Sequence, residues 1–403
     1  MAAPLDDATR SIIKACVPAL EAHGVAITTE MYRRLLANPD IRDLFNMSHQ
    51  KDGEQPRALA LAVLAYARNI DNPGVLGAMI ERIAEKHVGL NILPAHYPYV
   101  AEALLGAIAH VLGDAATPEI LDAWGKAYWF LADVLIGREK EIYQSHEVAP
   151  GGWVGWRPFR VGRRVRESET VTSFELVPTD GKPVMRHVPG QYLSFRLDVP
   201  GHGSQRRNYS ISSAPDGASY RISVRRIPGG VVSEWLHDSV HEGTELQVSA
   251  PAGDFVLGGP AASPIMLLSA GVGLTPLMSM LDTLMAGESA PAIHYVHATR
   301  TPQTEAFGQH IRKLATTGRV RHDVFYSRET ALETAEDAGT TQHAGRLTPA
   351  WLKAQARPDT VYYICGPDGF MREMVAVLKA AGVPDAAIRF EFFGSAADAE
   401  LAA

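Results

Sequence analysis

Two periodicities divide the 403-residue chain. Over its first third, apolar positions recur every three or four residues, the repeat of a helix with one face turned inward. In LGAMIERIAEKHV, residues Leu76, Met79, Ile80, Ile83 and His87 share that spacing. PEILDAWGKAYWFLADVLIGREKEIY predicts one long helix. Pro118 stands at its start, where a missing N–H costs nothing, and its inner stripe is Ile120, Trp124, Tyr128, Leu131, Leu135 and Ile142. No segment before residue 148 alternates with a period of two. APGGWVGWRPF, residues 149–159, then reads as a linker rich in Gly and Pro with anchoring tryptophans. Beyond it strands take over. YLSFRLDV places Leu193, Phe195, Leu197 and Val199 on one face and Tyr192, Ser194, Arg196 and Asp198 on the other. YRISVRR alternates likewise, and TDGK, APDG and IPGG mark turns, which together predict a small antiparallel barrel or sandwich. From about residue 262, the short apolar runs PIMLLSA, AIHYVHATR, VRHDVFYS and TVYYICG are separated by helical segments. That alternation predicts a parallel sheet covered on both faces. The expected fold is multidomain: an all-α domain over 1–147, an antiparallel β-barrel over 148–260 and a doubly wound α/β domain over 261–403.

Composition narrows the function classes. The net charge of −7 and the absence of a basic run argue against nucleic acid as a partner. No apolar run is long enough to span a bilayer, and MAAPLDDATR lacks the basic start and apolar stretch of a signal peptide. Two cysteines, Cys16 and Cys365, make no disulfide framework and point to a reducing, cytoplasmic setting. Neither has a Cys or His at metal spacing, so a structural zinc site is not expected.

The C-terminal part carries nucleotide chemistry. SAGVGLTPLMSML follows a predicted strand and opens a helix. Gly271 and Gly273 permit positive φ and close approach of a diphosphate; Thr275 is placed to cap the helix and Pro276 suits its first turn. The alternative is an ordinary tight turn between strand and helix. A second small-residue elbow, Cys365-Gly366-Pro367, ends the strand YYIC. In an open α/β sheet both elbows lie on the ligand-binding edge. In the barrel, RRNYSISS offers Arg207 for a phosphate, Tyr209 for a flat ring and Ser210 as a hydrogen-bond donor, and PGQY adds Tyr192. Singly, each has an ordinary alternative, such as an exposed strand with a solvated arginine. In this order they resemble the ferredoxin–NADP reductase superfamily. The resemblance implies FAD on the barrel, held by Tyr192, Arg207, Asn208, Tyr209 and Ser210. It implies a nicotinamide nucleotide at Gly271, Val272, Gly273, Leu274, Thr275 and Pro276 and at Cys365, Gly366 and Pro367. FEFFGS resembles that family's terminal strand, whose aromatic end packs near the isoalloxazine, and so adds Phe392, Phe393, Gly394 and Ser395. Some members have Cys and Pro where this chain has Phe392 and Ser395, a departure that bears on flavin packing and reduction potential.

The helical part holds polar residues where a plain core would hold leucine. His87 continues one apolar stripe and Glu139 another; an unpaired buried carboxylate is expensive, so Glu139 needs a partner if buried, and Tyr97 is a candidate. Gln55 lies one turn before Leu59, and Tyr32 falls in line with Val25, Thr29 and Leu36. The alternative for each is a polar side chain at a helix end reaching solvent. LFNMS, the Gln55–Leu59 pair, EKH, Tyr97 and LDAWGKAY…REKEIY together resemble the globin of flavohaemoglobins, and the resemblance then covers the chain nearly end to end. It implies haem b with His87 as the proximal iron ligand. Tyr32 would hydrogen-bond bound O2, Gln55 and Leu59 would form the distal helix pair, and Phe45 would pack on the haem. Tyr97 and Glu139 would hold the proximal imidazole, and Lys86 and Glu391 would lie near the electron path. The implied activity is that of an oxygen-binding nitric oxide dioxygenase. NAD(P)H, with NADH favoured over a lone Arg328 as a 2′-phosphate contact, reduces FAD; FAD reduces the iron one electron at a time; ferrous haem with O2 oxidises NO to nitrate. Two other readings stay open: a gas-sensing globin whose reductase only resets the iron, and a flavin reductase whose helical domain binds no haem. A monomer is expected, with O2, NO and NAD(P)H as its partners. Lipid binding is left open.

Overall fold

The computed structural model of the chain describes residues 4–44, 54–258, 263–287, 291–331 and 339–393. Phe45, Gly394 and Ser395 therefore lie outside the described residues. The helical part comprises α1 (Asp7–Ala15), α2 (Val17–Leu35), α3 (Pro39–Arg42), α4 (Glu54–Arg68), α5 (Gly77–Gly89), α6 (Tyr97–Leu112) and α7 (Pro118–Val148). Local chemistry sets their ends. Asp6 caps α1 by accepting from the Thr9 amide at 2.7 Å, and Thr117 caps α7 ahead of Pro118. The end of α5 decides where His87 sits. Asn91 takes the left-handed conformation (φ 58°), the Ile92 amide donates to the His87 carbonyl and the Asn91 amide to the Val88 carbonyl. This double bond closes the helix just past His87 and fixes that residue in its last turn. Ile13, Ile27, Met31, Tyr66, Leu104 and Trp124 belong to one core. Along α7, Trp124, Leu135 and Ile142 are buried as the stripe predicts, and Glu139 lies among them at 2% exposure.

The linker tryptophans do anchor. Trp153 packs on Phe159 and Tyr220 and donates to the Val248 carbonyl at 3.2 Å. The next unit is a six-stranded antiparallel sheet made of β1 (Arg157–Arg166), β2 (Val171–Pro178), β3 (Tyr192–Val199), β4 (Gly203–Ser210), β5 (Tyr220–Arg225) and β6 (Glu245–Val248), in the order β4-β3-β6-β1-β2-β5. Its outer strands meet only just past the end of β4, at the Ile211–Ile222 bridge and the bond from the Ser212 amide to the Arg221 carbonyl, so the barrel is a half-barrel. On β3, Leu193, Phe195, Leu197 and Val199 face the core and Arg196 and Asp198 are exposed, as alternation predicts. Tyr192 and Ser194, on the polar face, are buried nevertheless. The reason is α5: a Cβ on Gly89 would stand 2.9 Å from Ser194 Oγ and 3.3 Å from the Tyr192 ring. The helix that carries His87 lies directly on the half-barrel. A helix the alternation reading omits, α8 (Val231–Ser239), closes the sheet with Val232 and Leu236.

The third unit is a six-stranded parallel sheet. Its strands are β7 (Ile265–Ala270), β8 (Ile293–Thr299), β9 (Val320–Tyr326), β10 (Thr340–Ala344), β11 (Val361–Cys365) and β12 (Ile388–Glu391), in the order β10-β9-β8-β7-β11-β12. Helices α9 (Leu274–Ala286), α10 (Gly308–Ala315), α11 (Pro349–Gln355) and α12 (Asp368–Ala380) alternate with them. The chain steps outward from β7 to β10 and then returns to β11 on the other side of β7, so the strand order reverses between β7 and β11. Ligands of open α/β sheets bind at that reversal, beyond the carboxyl ends of the strands. One expectation is corrected here. Thr275 does not cap α9: the chain passes through a single 3₁₀ turn, Gly271–Gly273, the helix begins at Leu274, and the Thr275 hydroxyl donates back to the Val272 carbonyl at 3.1 Å.

Candidate functional site

One cavity of about 1180 Å³ extends from the helical domain to the half-barrel and touches the parallel sheet. Tyr32, Gln55, Leu59, His87 and Tyr97 line it from the helices. Tyr192, Arg207, Asn208, Tyr209 and Ser210 line it from the half-barrel, and Glu391, Phe392 and Phe393 from the chain's last strand. Lys86, Val272 and Thr275 also reach it. Glu139 stands behind His87 instead.

The helical end is organised by a three-member hydrogen-bond cluster. Glu139 Oε1 lies 2.7 Å from His87 Nδ1 and accepts from the Tyr97 hydroxyl at 2.5 Å; Tyr97 Oη lies 3.2 Å from His87 Nδ1. Three sequence-predicted residues from α5, α6 and α7 thus meet at one point. A buried carboxylate accepts only, so Nδ1 is the protonated nitrogen and the lone pair resides on Nε2. Burial and the Glu139 carboxylate push the Tyr97 hydroxyl far above its ordinary range, which keeps it a donor. Its own backbone carbonyl accepts from the Tyr128 hydroxyl at 2.7 Å, which fixes the start of α6. The rest of this end is apolar, with Met31, Leu35, Val63 and Met79 on its walls and Tyr32 and Gln55 as polar points on α2 and α4. Burial pushes the Tyr32 hydroxyl up to about 12. A largely apolar space with His87 in its wall, its Nδ1 engaged by Glu139, fits a haem whose iron His87 would hold.

On the half-barrel, Tyr209 packs edge-on against Phe195, with centroids 5.5 Å apart, and burial pushes its hydroxyl up. Arg207 donates to the Arg206 carbonyl at 2.6 Å, and burial lowers its pKa, the mark of a desolvated cation suited to an anionic group. Phe392 and Phe393 diverge. Phe392, 4% exposed, belongs to the core of the parallel sheet, whereas Phe393 is 44% exposed and presents an open ring. An open aromatic, a half-buried guanidinium and Tyr209 beside one cavity fit a flavin and its diphosphate.

The nucleotide elbows are tied to each other. Gly271 needs its φ of 55°, and a Cβ on Gly273 would run into the Cys365 carbonyl. A Cβ on Gly366 would meet the Phe370 ring at 2.9 Å and the Ala270 side chain at 3.1 Å. The two turns therefore pack edge to edge at the reversal of strand order. Leu274 and Pro276 are buried behind them, and Pro367 precedes α12 as its cap residue. Cys365 is fully buried, which pushes its thiol well up, so it serves packing and not nucleophilic chemistry. Arg328 is exposed at the end of β9, where its amide donates to the Arg300 carbonyl.

Sequence reading misses several contributors. Arg225 lines the cavity within 3.9 Å of the Cβ position of Gly271. Glu85 accepts from the Gly253 amide at 2.9 Å and joins α5 to the half-barrel. Arg206 is a third. Each is a charged residue in a strand or helix of mixed pattern, where solvation is the ordinary expectation. Among the described residues no group of three or more His, Cys, Asp and Glu side chains is placed to hold a metal ion, and no helix is long and apolar enough to cross a membrane.

Comparison with known proteins matches this division of the chain. Family models described as Globin, Oxidoreductase FAD-binding domain and Oxidoreductase NAD-binding domain match residues 29–135, 158–257 and 267–376. The flavohemoprotein of Xylella fastidiosa Temecula1 is 47% identical over 405 residues, covering 100% of both chains, and that of Deinococcus radiodurans is 46% identical over 391 residues, covering 96% of each. Among solved structures, flavohemoglobin from Malassezia yamatoensis with bound FAD and heme superposes with a TM-score of 0.86 at 27% identity, over 97% of this chain and 100% of that one. The FAD/NAD-binding domain of nitric oxide dioxygenase from Vibrio cholerae aligns at 36% identity over 59% of this chain and 98% of its own, with a TM-score of 0.53. A globin, an FAD-binding half-barrel and an NAD-binding parallel sheet in one chain, alike end to end with these relatives, place the protein in the flavohemoprotein family.

Proposed function

We propose that this NAD(P)H-dependent haem and flavin oxidoreductase is a nitric oxide dioxygenase, using O2 to convert NO to nitrate. Residues 1–147, 148–260 and 261–403 act as its haem, FAD and nucleotide units, and NADH is the favoured donor. When bound, FAD divides the two electrons of a nicotinamide hydride into single electrons, and haem supplies an iron that takes them one at a time and meets the gases.

The observation that carries the proposal is the His87–Glu139–Tyr97 cluster. His87 would hold the iron through Nε2. Glu139, 2.7 Å from Nδ1, would orient the imidazole and, when haem is bound, would favour electron donation toward its iron. A protein that only stores or senses a gas has no need of so strong a push. Tyr97 holds the same carboxylate oxygen and keeps it aimed at the ring. Tyr32, still protonated at any physiological pH, would donate toward negative charge developing on the gaseous substrate, with Gln55 beside it and Leu59 excluding water. Arg207, Tyr192, Asn208, Tyr209 and Ser210 would hold the flavin, with Phe393 beside its ring and Phe392 behind. The Gly271–Pro276 turn and the Cys365–Pro367 elbow would admit the nucleotide backbone closely. Lys86 and Glu391 line the same cavity and would flank the electron path. The likeness to the Vibrio cholerae nitric oxide dioxygenase domain supports the reading on the reductase side. The free, buried Cys16 and Cys365 suit the reducing conditions of the cytoplasm.

The test is NO consumption in air with NADH and with NADPH, followed by electrode, with nitrate measured as product. Rapid loss of NO with stoichiometric nitrate is expected, faster with NADH. His87→Ala should abolish it while dye reduction by the flavin unit survives. Full dye reduction by the parent protein, with NO lost no faster than in buffer, would overturn the proposal.

A further inference from the structure

Two arginines stand together in RRNYS, and period-two alternation sends them to opposite faces of β4. Arg207 lies on the face that carries Tyr209. Arg206 goes the other way, toward the helical domain, and its setting differs. It is 7% exposed, its Nε donates to the Asp43 backbone carbonyl at 2.9 Å, and its guanidinium lies 4.4 Å from the centre of the Trp156 ring. Arg196, its partner across the β3–β4 ladder, lies over the same ring at 5.7 Å. Arg206 Nη1 is buried and has no hydrogen-bond partner among the described residues. Arg206 also lines the large cavity, next to His202 and Gln205.

A buried cation with an unused N–H, beside a second cation, is an unfavourable arrangement unless an anion completes it. Its pKa falls to about 10, first through burial and then through Arg196, as expected for a site short of negative charge. The planar guanidinium, held flat by Trp156 and by its Nε bond, presents a fixed fork that matches a small delocalised oxyanion.

We propose that Arg206 is an anion-binding residue of the cavity and that its ligand is a propionate carboxylate of the haem. The proposal rests on reading the helical end of the cavity as a haem site. A diphosphate from FAD has the same chemistry, but one observation favours the propionate: Arg206 is fastened to the Asp43 carbonyl of the helical domain, whereas Arg207 donates within its own strand, to the Arg206 carbonyl. Haem b carries two carboxylates that must leave an apolar pocket at a polar rim. Arg206, a half-barrel residue reaching into that rim, would then let the reductase hold the globin's cofactor directly.

The experiment compares the parent protein, Arg206→Leu and Arg206→Lys, each full length and loaded with both cofactors. A Soret band in the parent checks the underlying haem reading separately. Haem loss is followed by transfer to excess apomyoglobin, FAD loss by fluorescence on dilution, and integrity of the reductase by NADH-dependent dye reduction. Arg206→Leu should lose haem about tenfold faster, the loss of one charge-assisted hydrogen-bonded contact, with FAD retention unchanged. Arg206→Lys, which keeps the charge without the fork, should fall between them and serves alone if the leucine variant does not fold. In proteins reconstituted with haem dimethyl ester, which has no carboxylates, parent and variants should lose it at one rate. Unchanged haem loss, or a difference that persists with the ester, would overturn the proposal. So would faster loss of FAD with haem retention intact, which assigns Arg206 to the diphosphate.

Discussion

At the scale of the residue, the chemistry we propose turns on a single carboxylate oxygen. Glu139 Oε1 serves both His87 and Tyr97, so removing its charge should weaken the proximal push more than removing the Tyr97 hydroxyl. Glu139→Gln is expected to lower NO turnover about tenfold or more, on the scale of losing one strong electrostatic contact. It should also lower the iron–histidine stretching frequency in the resonance Raman spectrum of the ferrous protein. Tyr97→Phe should act in the same direction and less, because the carboxylate stays. A frequency unmoved by Glu139→Gln would mean that the carboxylate does not tune the imidazole. His87 and Glu139 were legible because each is polar at a position where helical spacing calls for leucine, Tyr97 was legible only as a candidate partner for a buried Glu139, and the family resemblance joined the three. Arg206 and Arg225 were not. A surface strand admits arginine freely, and only the fold reveals that a helix or a cavity covers these two.

At the scale of the element, α5 is the member on which the two halves meet. Its end carries His87, Gly89 packs against Ser194, Glu85 takes the Gly253 amide, and Arg82 pairs with Asp254 at 3.4 Å. Glu85→Ala should therefore loosen α5 from the half-barrel. Stopped-flow reduction of the haem by NADH should slow several-fold while dye reduction stays at the parent rate, since the Glu85 carboxylate bonds the Gly253 amide and none of the residues proposed to hold nucleotide or flavin. Equal loss of both activities would point to unfolding instead. A second element-level device joins three strands of the parallel sheet. Asp323 on β9, 1% exposed, accepts from His294 on β8 at 2.7 Å and from His343 on β10 at 2.6 Å, with Arg321 at 3.0 Å. Burial works against its ionisation, yet the bonds from His294 and His343 hold its pKa at about 2, below the ordinary 3.8. A depressed carboxylate stabilises the fold fully above its unfolded pKa and loses that contribution as pH falls from about 4 to about 2. The amount is on the order of 2 kcal/mol. Asp323→Asn should destabilise the protein at neutral pH and flatten the acid side of its denaturant-midpoint profile. Most elements were legible from periodicity. β10 was not, because TTQHA at a half-exposed sheet edge has no apolar alternation, and the two-residue shift of the helix start, from a cap at Thr275 to one at Gly273, arises from the 3₁₀ turn that two glycines allow.

At the scale of the whole molecule, the change of period from helical to alternating to strand-and-helix made the order of the three units legible. It could not reveal that they share one interior. That depends on Tyr192 and Ser194 being covered by a helix more than a hundred residues away in sequence, a contact that no local pattern encodes. The shared cavity has a kinetic consequence. Redox partners that must find each other by diffusion are steered by surface charge, so their rates fall as salt rises and climb with concentration. Here the walls of one cavity would bring the proposed donor and acceptor sites together before any electron moves. Electron delivery should follow a rate law of first order in the protein alone. Between low and high ionic strength, and across a hundredfold dilution, turnover per molecule should stay nearly constant, and a steep salt dependence would betray electrons passing between molecules. The fold thus removes the ionic milieu from the list of things that control the rate.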